Sequence, residues 1–275
     1  MYDLFIIGAG PGGYSAAVLA AKKGLRVGIA EKQALGGVCT NRGCIPAKAY
    51  IESINLYKRI RNASRFGIEV GQPAISLAAL AKRKERIVSR LVKGIELLLK
   101  NSAVDLYPAT AEIVSPHTIR VGGTTIETAN LLIATGSIPR PLPFPAPKLW
   151  TSDDVFALEK APASLIIIGG GVIGCEMAHI FSSLGAKVTV IEALDRVLAS
   201  EDREASSALV KIMREVDFIT GARVCAIDGA GPHRVSVEAP DGARTLEAEH
   251  ILACIGRTPV LPPGVKELGP DLREN

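Results

Sequence analysis

The chain has 275 residues, 48% of them hydrophobic and 22% charged, with 27 glycines and 17 prolines. Such a composition suits about two domains with hydrophobic cores and excludes a disordered chain, a collagen or a coiled coil. Aromatic residues are 4% of the total and the net charge is +4, which argues against a base-stacking nucleic-acid platform and against a polyanionic partner.

Charge divides unevenly along the chain. Residues 1–150 carry 20 Lys and Arg against 9 Asp and Glu, and the remainder carries 12 against 19. Two domains with differently charged solvated surfaces account for this. The densest basic run, Lys82 to Arg86, falls in a helical pattern whose apolar residues Leu77, Leu80, Ile87 and Leu91 lie on another face, so it reads as the wet side of a helix. The start has only four consecutive apolar residues, Leu4 to Ile7, and no basic segment before them, which fits neither a signal peptide nor a membrane span. With that start, five cysteines lead us to expect a reducing, cytoplasmic setting.

The first element is a strand at Leu4 to Ile7. It runs into Gly8-Ala9-Gly10-Pro11-Gly12-Gly13, a helix of small residues through Ala21, and a second strand from Arg26 to Ala30 that ends at Glu31. This is G-x-G-x-x-G in the context that gives it meaning. The first glycine permits a tight turn, the second lets backbone approach a pyrophosphate, and the third lets helix and strand pack closely. The carboxylate after the second strand is placed to accept hydrogen bonds from an adenosine ribose diol.

Next comes Leu35-Gly36-Gly37-Val38-Cys39-Thr40-Asn41-Arg42-Gly43-Cys44-Ile45-Pro46-Ala47-Lys48. The glycines supply turns that let the two thiols approach to the roughly 6 Å Cα separation of a disulfide, so the pair can form a reversible bridge. Cys44 falls at a helix entrance, where the dipole and Lys48 favour thiolate. A metal site fits poorly, because the histidines at 117, 179, 233 and 250 are scattered. Cys175, Cys225 and Cys254 sit in apolar patterns and read as packing residues.

Two long helical patterns follow, then a β-meander from Val104 to Glu127 and one more strand, Asn130 to Ala134, leading to Thr135-Gly136-Ser137. A segment with five prolines, Pro139 to Trp150, reads as a linker. The whole pattern then repeats. Leu165 to Ile168 is a strand, Gly169-Gly170-Gly171-Val172-Ile173-Gly174 the glycine turn, the helix reaches about Leu184, and Lys187 to Ile191 ends at Glu192. Arg223 to Glu247 reads as a second meander, and His250 to Ala253 leads to Gly256. The expected fold is α/β, with two Rossmann-like three-layer ββα domains carrying β-meander insertions: 1–145, 146–260 and a short tail, 261–275.

A dithiol motif placed after one fingerprint and before another resembles the group I pyridine nucleotide-disulfide oxidoreductases, and within them the branch that oxidises dihydrolipoamide. That resemblance implies that Gly8, Gly10, Gly13 and Glu31 hold FAD, with Ala111 offering backbone to the adenine end and Thr135, Gly136 and Ser137 lining the site. Cys39 becomes the interchange thiol and Cys44 the thiolate beside the flavin, with Lys48 near the flavin and paired with Glu176. The second fingerprint, Gly169, Gly171 and Gly174 with Gly256, would hold the nicotinamide cofactor. Glu192 points to NAD, because a carboxylate repels a 2′-phosphate. Arg196 is expected to pair with acids of the following helix. The implied partners are dihydrolipoamide, or a lipoyl domain of a 2-oxo acid dehydrogenase complex, with no nucleic acid, membrane or metal, and a homodimer is implied for the full-length family. Thr40, Arg42 and Ala47 depart from the family pattern. The family also continues for about two hundred residues, one further domain, that carries a second flavin strand, a dimer interface and a His-Glu base. Two competing readings remain, a non-catalytic nucleotide-binding remnant and a reductase of another disulfide or of a metal ion.

Overall fold

A computed structural model describes residues 1–269, which divide into two units. The first holds residues 1–45, 85–138 and 259–269. Its elements are β1 (Tyr2–Ile7), α1 (Pro11–Lys22), β2 (Val27–Ala30) and α2 (Gly37–Arg42). After α3 (Cys44–Arg61) and α4 (Leu77–Asn101) come β3 (Asp105–Tyr107), β4 (Ala111–Ser115), β5 (Thr118–Val121) and β6 (Thr124–Ile133).

The six strands run in the order β3-β2-β1-β6-β5-β4. The first four are mutually parallel, and β6 then pairs antiparallel with β5, as β5 does with β4. Alternation along β1 sends Ile6 to a helical core with Ala17, Val18, Ile95 and Leu99, and Phe5 and Ile7 to a meander core with Ile113, Ile119 and Ile126. A two-sided burial of this kind is what turns the parallel sheet into the middle of three layers. One expectation changes here. The meander's last strand and the final parallel strand are a single strand, β6, which pairs with β5 through Glu127 and with β1 from Thr128. Val104 to Tyr107 leaves the meander altogether, because β3 is the edge of the parallel sheet.

The second unit holds residues 46–84 and 139–258. The chain passes from one unit to the other within β7 (Ser137–Pro139) and returns within β15 (Arg257–Pro259). The second unit contains β8 (Ser164–Ile168), α5 (Val172–Ser183), β9 (Lys187–Ile191), α6 (Arg203–Ile212) and β10 (Val216–Ile219). It continues with β11 (Arg223–Asp228), β12 (His233–Ala239), β13 (Gly242–Ala248) and β14 (His250–Ala253). The parallel sheet is β10-β9-β8-β14, and β11-β12-β13 form a separate antiparallel sheet. Leu165 and Ile167 face a helical core with Met177 and Phe181, whereas Ile166 and Ile168 face the meander core with Val224, Val235 and Val237. Each such fully buried side chain stabilises the fold by about 1.5–3 kcal/mol.

The structure divides the chain differently from 1–145, 146–260 and a tail. Residues 46–84 belong with the second unit because the inner face of α3, Ala47, Tyr50 and Ile54, shares a core with Phe156, Met177 and Phe181. Tyr50 meets Phe156 edge to face, with centroids 5.3 Å apart. Residues 261–269 are no tail but a part of the first unit. Val265 is 3% exposed in the meander core, and Ile113 N–H donates to Pro263 O at 2.9 Å. Residues 270–275 of the expected tail lie outside the described residues. The proline-rich segment also does more than link, since Leu142, Phe144 and Leu149 pack on the second unit's meander core.

Candidate nucleotide and dithiol sites

Both glycine loops solve the same steric problem in the same way. Gly8 and Gly169 have φ of +102° and +106°, and a Cβ on either would fall 2.3 Å from a carbonyl oxygen, that of Ala134 or Cys254. At Gly13 and Gly174 a Cβ would lie 1.8 Å and 2.0 Å from the oxygens of Gly8 and Gly169. First and third glycines are therefore demanded by the protein itself. The middle ones are not. Gly171 caps α5 at φ −73° with nothing within 4 Å of a built Cβ, and Gly10 caps α1 at φ −70° with only Gly37 Cα, at 3.9 Å. Neither helix has an acidic residue in its first turn. Open space above a bare helix N-terminus fits a pyrophosphate.

Each loop is tied to the carboxylate beyond the second strand. Glu31 accepts from Ala9 N–H at 2.9 Å and Gln33 N–H at 2.8 Å, and Glu192 accepts from Gly170 N–H at 2.6 Å and Leu194 N–H at 2.8 Å. These bonds fix the carboxylate orientation and leave further lone pairs for a diol. Among the described residues Arg196 does not pair with acidic side chains. Its guanidinium donates to the backbone oxygens of Leu198, Ala199 and Glu201 at 3.0, 2.7 and 3.0 Å, because the loop before α6 turns its carbonyls inward around it.

In the second unit the loop opens on a cavity of about 590 Å³ lined by Gly169, Gly171, Glu192, Arg223, Cys254 and Gly256. This is within the usual range for a small-molecule site. In the first unit the corresponding cavity is about 90 Å³, lined by Gly8, Lys32, Ala111, Thr135 and Val260 among others. It has room for only a fragment of a dinucleotide. Thr135 Oγ1 donates to Val260 O, Gly136 O accepts from Val260 N–H at 2.9 Å, and Ser137 opens β7.

The dithiol segment is fastened to the first glycine loop. Gly36 N–H donates to Ala9 O at 2.8 Å, and a Cβ on Gly37 would fall 2.8 Å from Gly10 Cα. Asn41 Nδ2 donates to the oxygens of Leu35 and Gly37, both at 2.9 Å, and so closes the turn that carries Cys39. Cys44 is the first residue of α3 and exposed, and Cys39, within α2, is half-buried. None of the five cysteines is joined in a disulfide in this structure. Arg42 reaches Gln33 Oε1 at 3.3 Å.

In the second unit Lys48 Nζ lies 3.3 Å from Glu176 Oε1, with side chains 65% and 23% exposed. A pair so open to solvent is worth no more than about 1 kcal/mol. Burial pushes the Cys175 thiol up to about 12, helped by the charges of Glu192 and Glu176, and burial does the same to Cys254. Cys225 is not a packing residue. A bulge between Val224 and Ala226 takes it out of the ladder, and it is exposed. Among the described residues no group of three or more His, Cys, Asp and Glu is placed to hold a metal, and no helix is long and apolar enough to cross a membrane.

The family model described as pyridine nucleotide-disulphide oxidoreductase matches residues 2–272. The chain belongs to that family. Among its relatives, the dihydrolipoyl dehydrogenase of Acholeplasma laidlawii is 34% identical over 98% of this chain and 82% of its own length. The dihydrolipoyl dehydrogenase of Chlamydia pneumoniae is 40% identical over 93% of this chain and 56% of its own length. Among solved structures, the HOCl-induced flavoprotein disulfide reductase RclA from Escherichia coli superposes with a TM-score of 0.82 at 29% identity, covering 99% of this chain and 61% of that one. Against relatives such as the last two, this oxidoreductase chain spans little more than half of the full length.

Within this pyridine nucleotide-disulphide oxidoreductase, sequence reasoning missed Asn41 and the backbone contact between Gly37 and Gly10. A signal was present in the paired glycines ahead of Cys39, since two small residues there allow one loop to press on another. Nothing in the spacing distinguished Asn41, whose role depends on carbonyls four and six residues before it.

Proposed function

We propose that the chain carries the dinucleotide and dithiol apparatus of a flavin-dependent disulfide oxidoreductase of the dihydrolipoyl dehydrogenase type. The observation that supports it most is the fastening of the Cys39 turn onto the first glycine loop, through Gly36 to Ala9 and Gly37 to Gly10. In this reading Gly8, Gly10, Gly13 and Glu31 hold FAD, and Gly169, Gly171, Gly174, Glu192 and Gly256 hold NAD. Ala111, Thr135, Gly136 and Ser137 flank the first site.

Cys39, half-buried, exchanges with a dithiol substrate such as dihydrolipoamide, free or on a lipoyl domain, and Cys44 at the head of α3 completes the Cys39–Cys44 disulfide. In the substrate half-reaction the dithiol loses two electrons and two protons and the disulfide becomes two thiols. Bound flavin would supply the path by which those electrons reach nicotinamide. Lys48 and Glu176 place opposite charges on α3 and α5 and act as positioning groups. Glu192 carries a charge that repels a 2′-phosphate, and Arg196 is tied to carbonyls, which supports NAD over its phosphorylated form. A reducing, cytoplasmic setting accompanies this reading, and a homodimer is the expectation for the full-length family.

Reduction of another disulfide or of a metal ion is the second reading. Its support is the likeness to RclA, a Cys-to-Ser variant of which is described as a Cu(II) complex. Flavin content after gentle purification, followed by titration with dihydrolipoamide or Cu(II) and loss of the response in Cys44→Ser, separates the two. Protein that neither holds flavin nor exchanges thiols would favour a nucleotide-binding remnant.

A further inference from the structure

The cavity of the second unit contains a cation that the glycine motif does not account for. Arg223 lines it, at the start of β11. The segment that carries Arg223 is stitched to the turn after Glu192. Ala222 N–H donates to Glu192 O at 2.9 Å, and Gly221 N–H donates to Leu194 O at 2.7 Å. Arg223 therefore follows directly on two residues bonded to Glu192 and to the turn after it, and lines the same cavity as the Glu192 side chain.

Its surroundings leave the guanidinium uncommitted. Glu238 is its register partner on β12, yet among the described residues no ion pair joins the two and no side-chain hydrogen bond of Arg223 is found. Arg196, the other arginine near Glu192, is held by three carbonyls. The neighbours that line the cavity beside Arg223, Ala222 and Val224, are apolar and buried. A planar cation at the edge of an apolar slot, with a carboxylate nearby that disfavours added phosphate, is suited to the face of an aromatic ring.

We propose that Arg223 stacks on the adenine ring of the bound dinucleotide and is a binding determinant for its adenosine half. This rests on the reading of the second unit as the nicotinamide dinucleotide site.

The test is calorimetric titration of ADP-ribose into the full chain and into Arg223→Ala and Arg223→Lys. Arg223→Ala is expected to weaken binding about threefold to tenfold, the range of a partly desolvated cation–π contact. Arg223→Lys should lose most of the same factor, because it keeps the charge and loses the plane, and the loss should persist at high salt. Thermal unfolding should be unchanged in both, since the side chain is exposed and, among the described residues, makes no ion pair or side-chain hydrogen bond. Wild-type affinity in Arg223→Ala would overturn the proposal. So would full rescue by lysine, which would assign the contact to phosphate. Absence of any ADP-ribose binding by the wild-type chain would instead remove the dinucleotide reading of this unit.

Discussion

Glu192 Oε2 lies 2.6 Å from the amide nitrogen of Gly170, inside the glycine loop that the carboxylate is expected to serve. The acid is thus a structural member of the loop as well as a ligand group, and the Glu31 to Ala9 bond repeats the arrangement in the first unit. Glu192→Gln puts an amide donor where one of two backbone N–H groups needs an acceptor. It should cost about 1–3 kcal/mol of stability. ADP-ribose should bind more weakly, while the 2′-phosphorylated form gains relative to it. Denaturant unfolding and calorimetry on one preparation check both, and an unchanged preference between the two ligands would count against Glu192 as the discriminating group.

The glycines separate folding from binding. Gly174→Ala forces a Cβ to 2.0 Å from Gly169 O, an overlap that should destabilise the second unit by about 3 kcal/mol or more. Gly171→Ala meets nothing within 4 Å and keeps an ordinary φ of −73°, so its melting temperature should match wild type. Its methyl group enters the space left for pyrophosphate, and ADP-ribose affinity should fall at least tenfold. If Gly171→Ala binds normally, the ligand does not approach this loop.

Thiol reactivity follows burial. With Cys175 and Cys254 held near 12, almost no thiolate exists there at neutral pH, whereas Cys44 and Cys225 are exposed. Brief alkylation of reduced native protein at pH 7.5 should label Cys44 and Cys225 and spare Cys175 and Cys254. After mild oxidation Cys39 and Cys44 should be protected together while Cys225 stays reactive. Peptide mapping reads all five sites, and a Cys44 that remains alkylable after oxidation would break the proposed pair.

Much of this was legible in the chain. Strand, glycine turn, helix and strand are local patterns, and both copies fold at the expected residues. What the pattern could not supply was long-range membership. Tyr50 and Ile54 lie in a helix opened by Cys44, yet their partners are Phe156 and Met177, more than a hundred residues on. Residues 259–265 have no periodicity at all, and the fit of Val265 rests on Ile113 and Ile119. Cys225 looked like a strand interior because a bulge leaves no mark in hydropathy.

That return segment gives its own prediction. Gly264, at φ +84°, places its Cα so that a Cβ would fall 1.8 Å from Ile113 O. Gly264→Ala should therefore displace residues 260–265 from the meander. Val265→Ala should cost about 2 kcal/mol for the two buried carbons removed. Limited proteolysis should then cut near Pro262 in both variants and leave wild type intact. Equal resistance of all three would place the segment outside the first unit's core.

The single tryptophan offers a reporter of the second unit. Trp150 stacks on His250 with ring centroids 3.9 Å apart and planes 17° from parallel. Burial lowers the His250 pKa, with Glu249 acting against the shift and His233 with it, and burial together with the Lys58 charge lowers that of His179 despite Glu215. Both rings are therefore held neutral in the folded protein at pH values where the unfolded chain, titrating near about 6.5, already takes up protons. More protons bound in the unfolded state means that stability is constant above that pH and declines as pH falls through the folded values. Trp150 fluorescence should drop as the imidazolium forms beneath it, with a midpoint below that of a free histidine. In His250→Asn the transition should vanish and part of the acid sensitivity of unfolding should go with it. A midpoint at or above the ordinary value would mean that Glu249 outweighs burial at this ring.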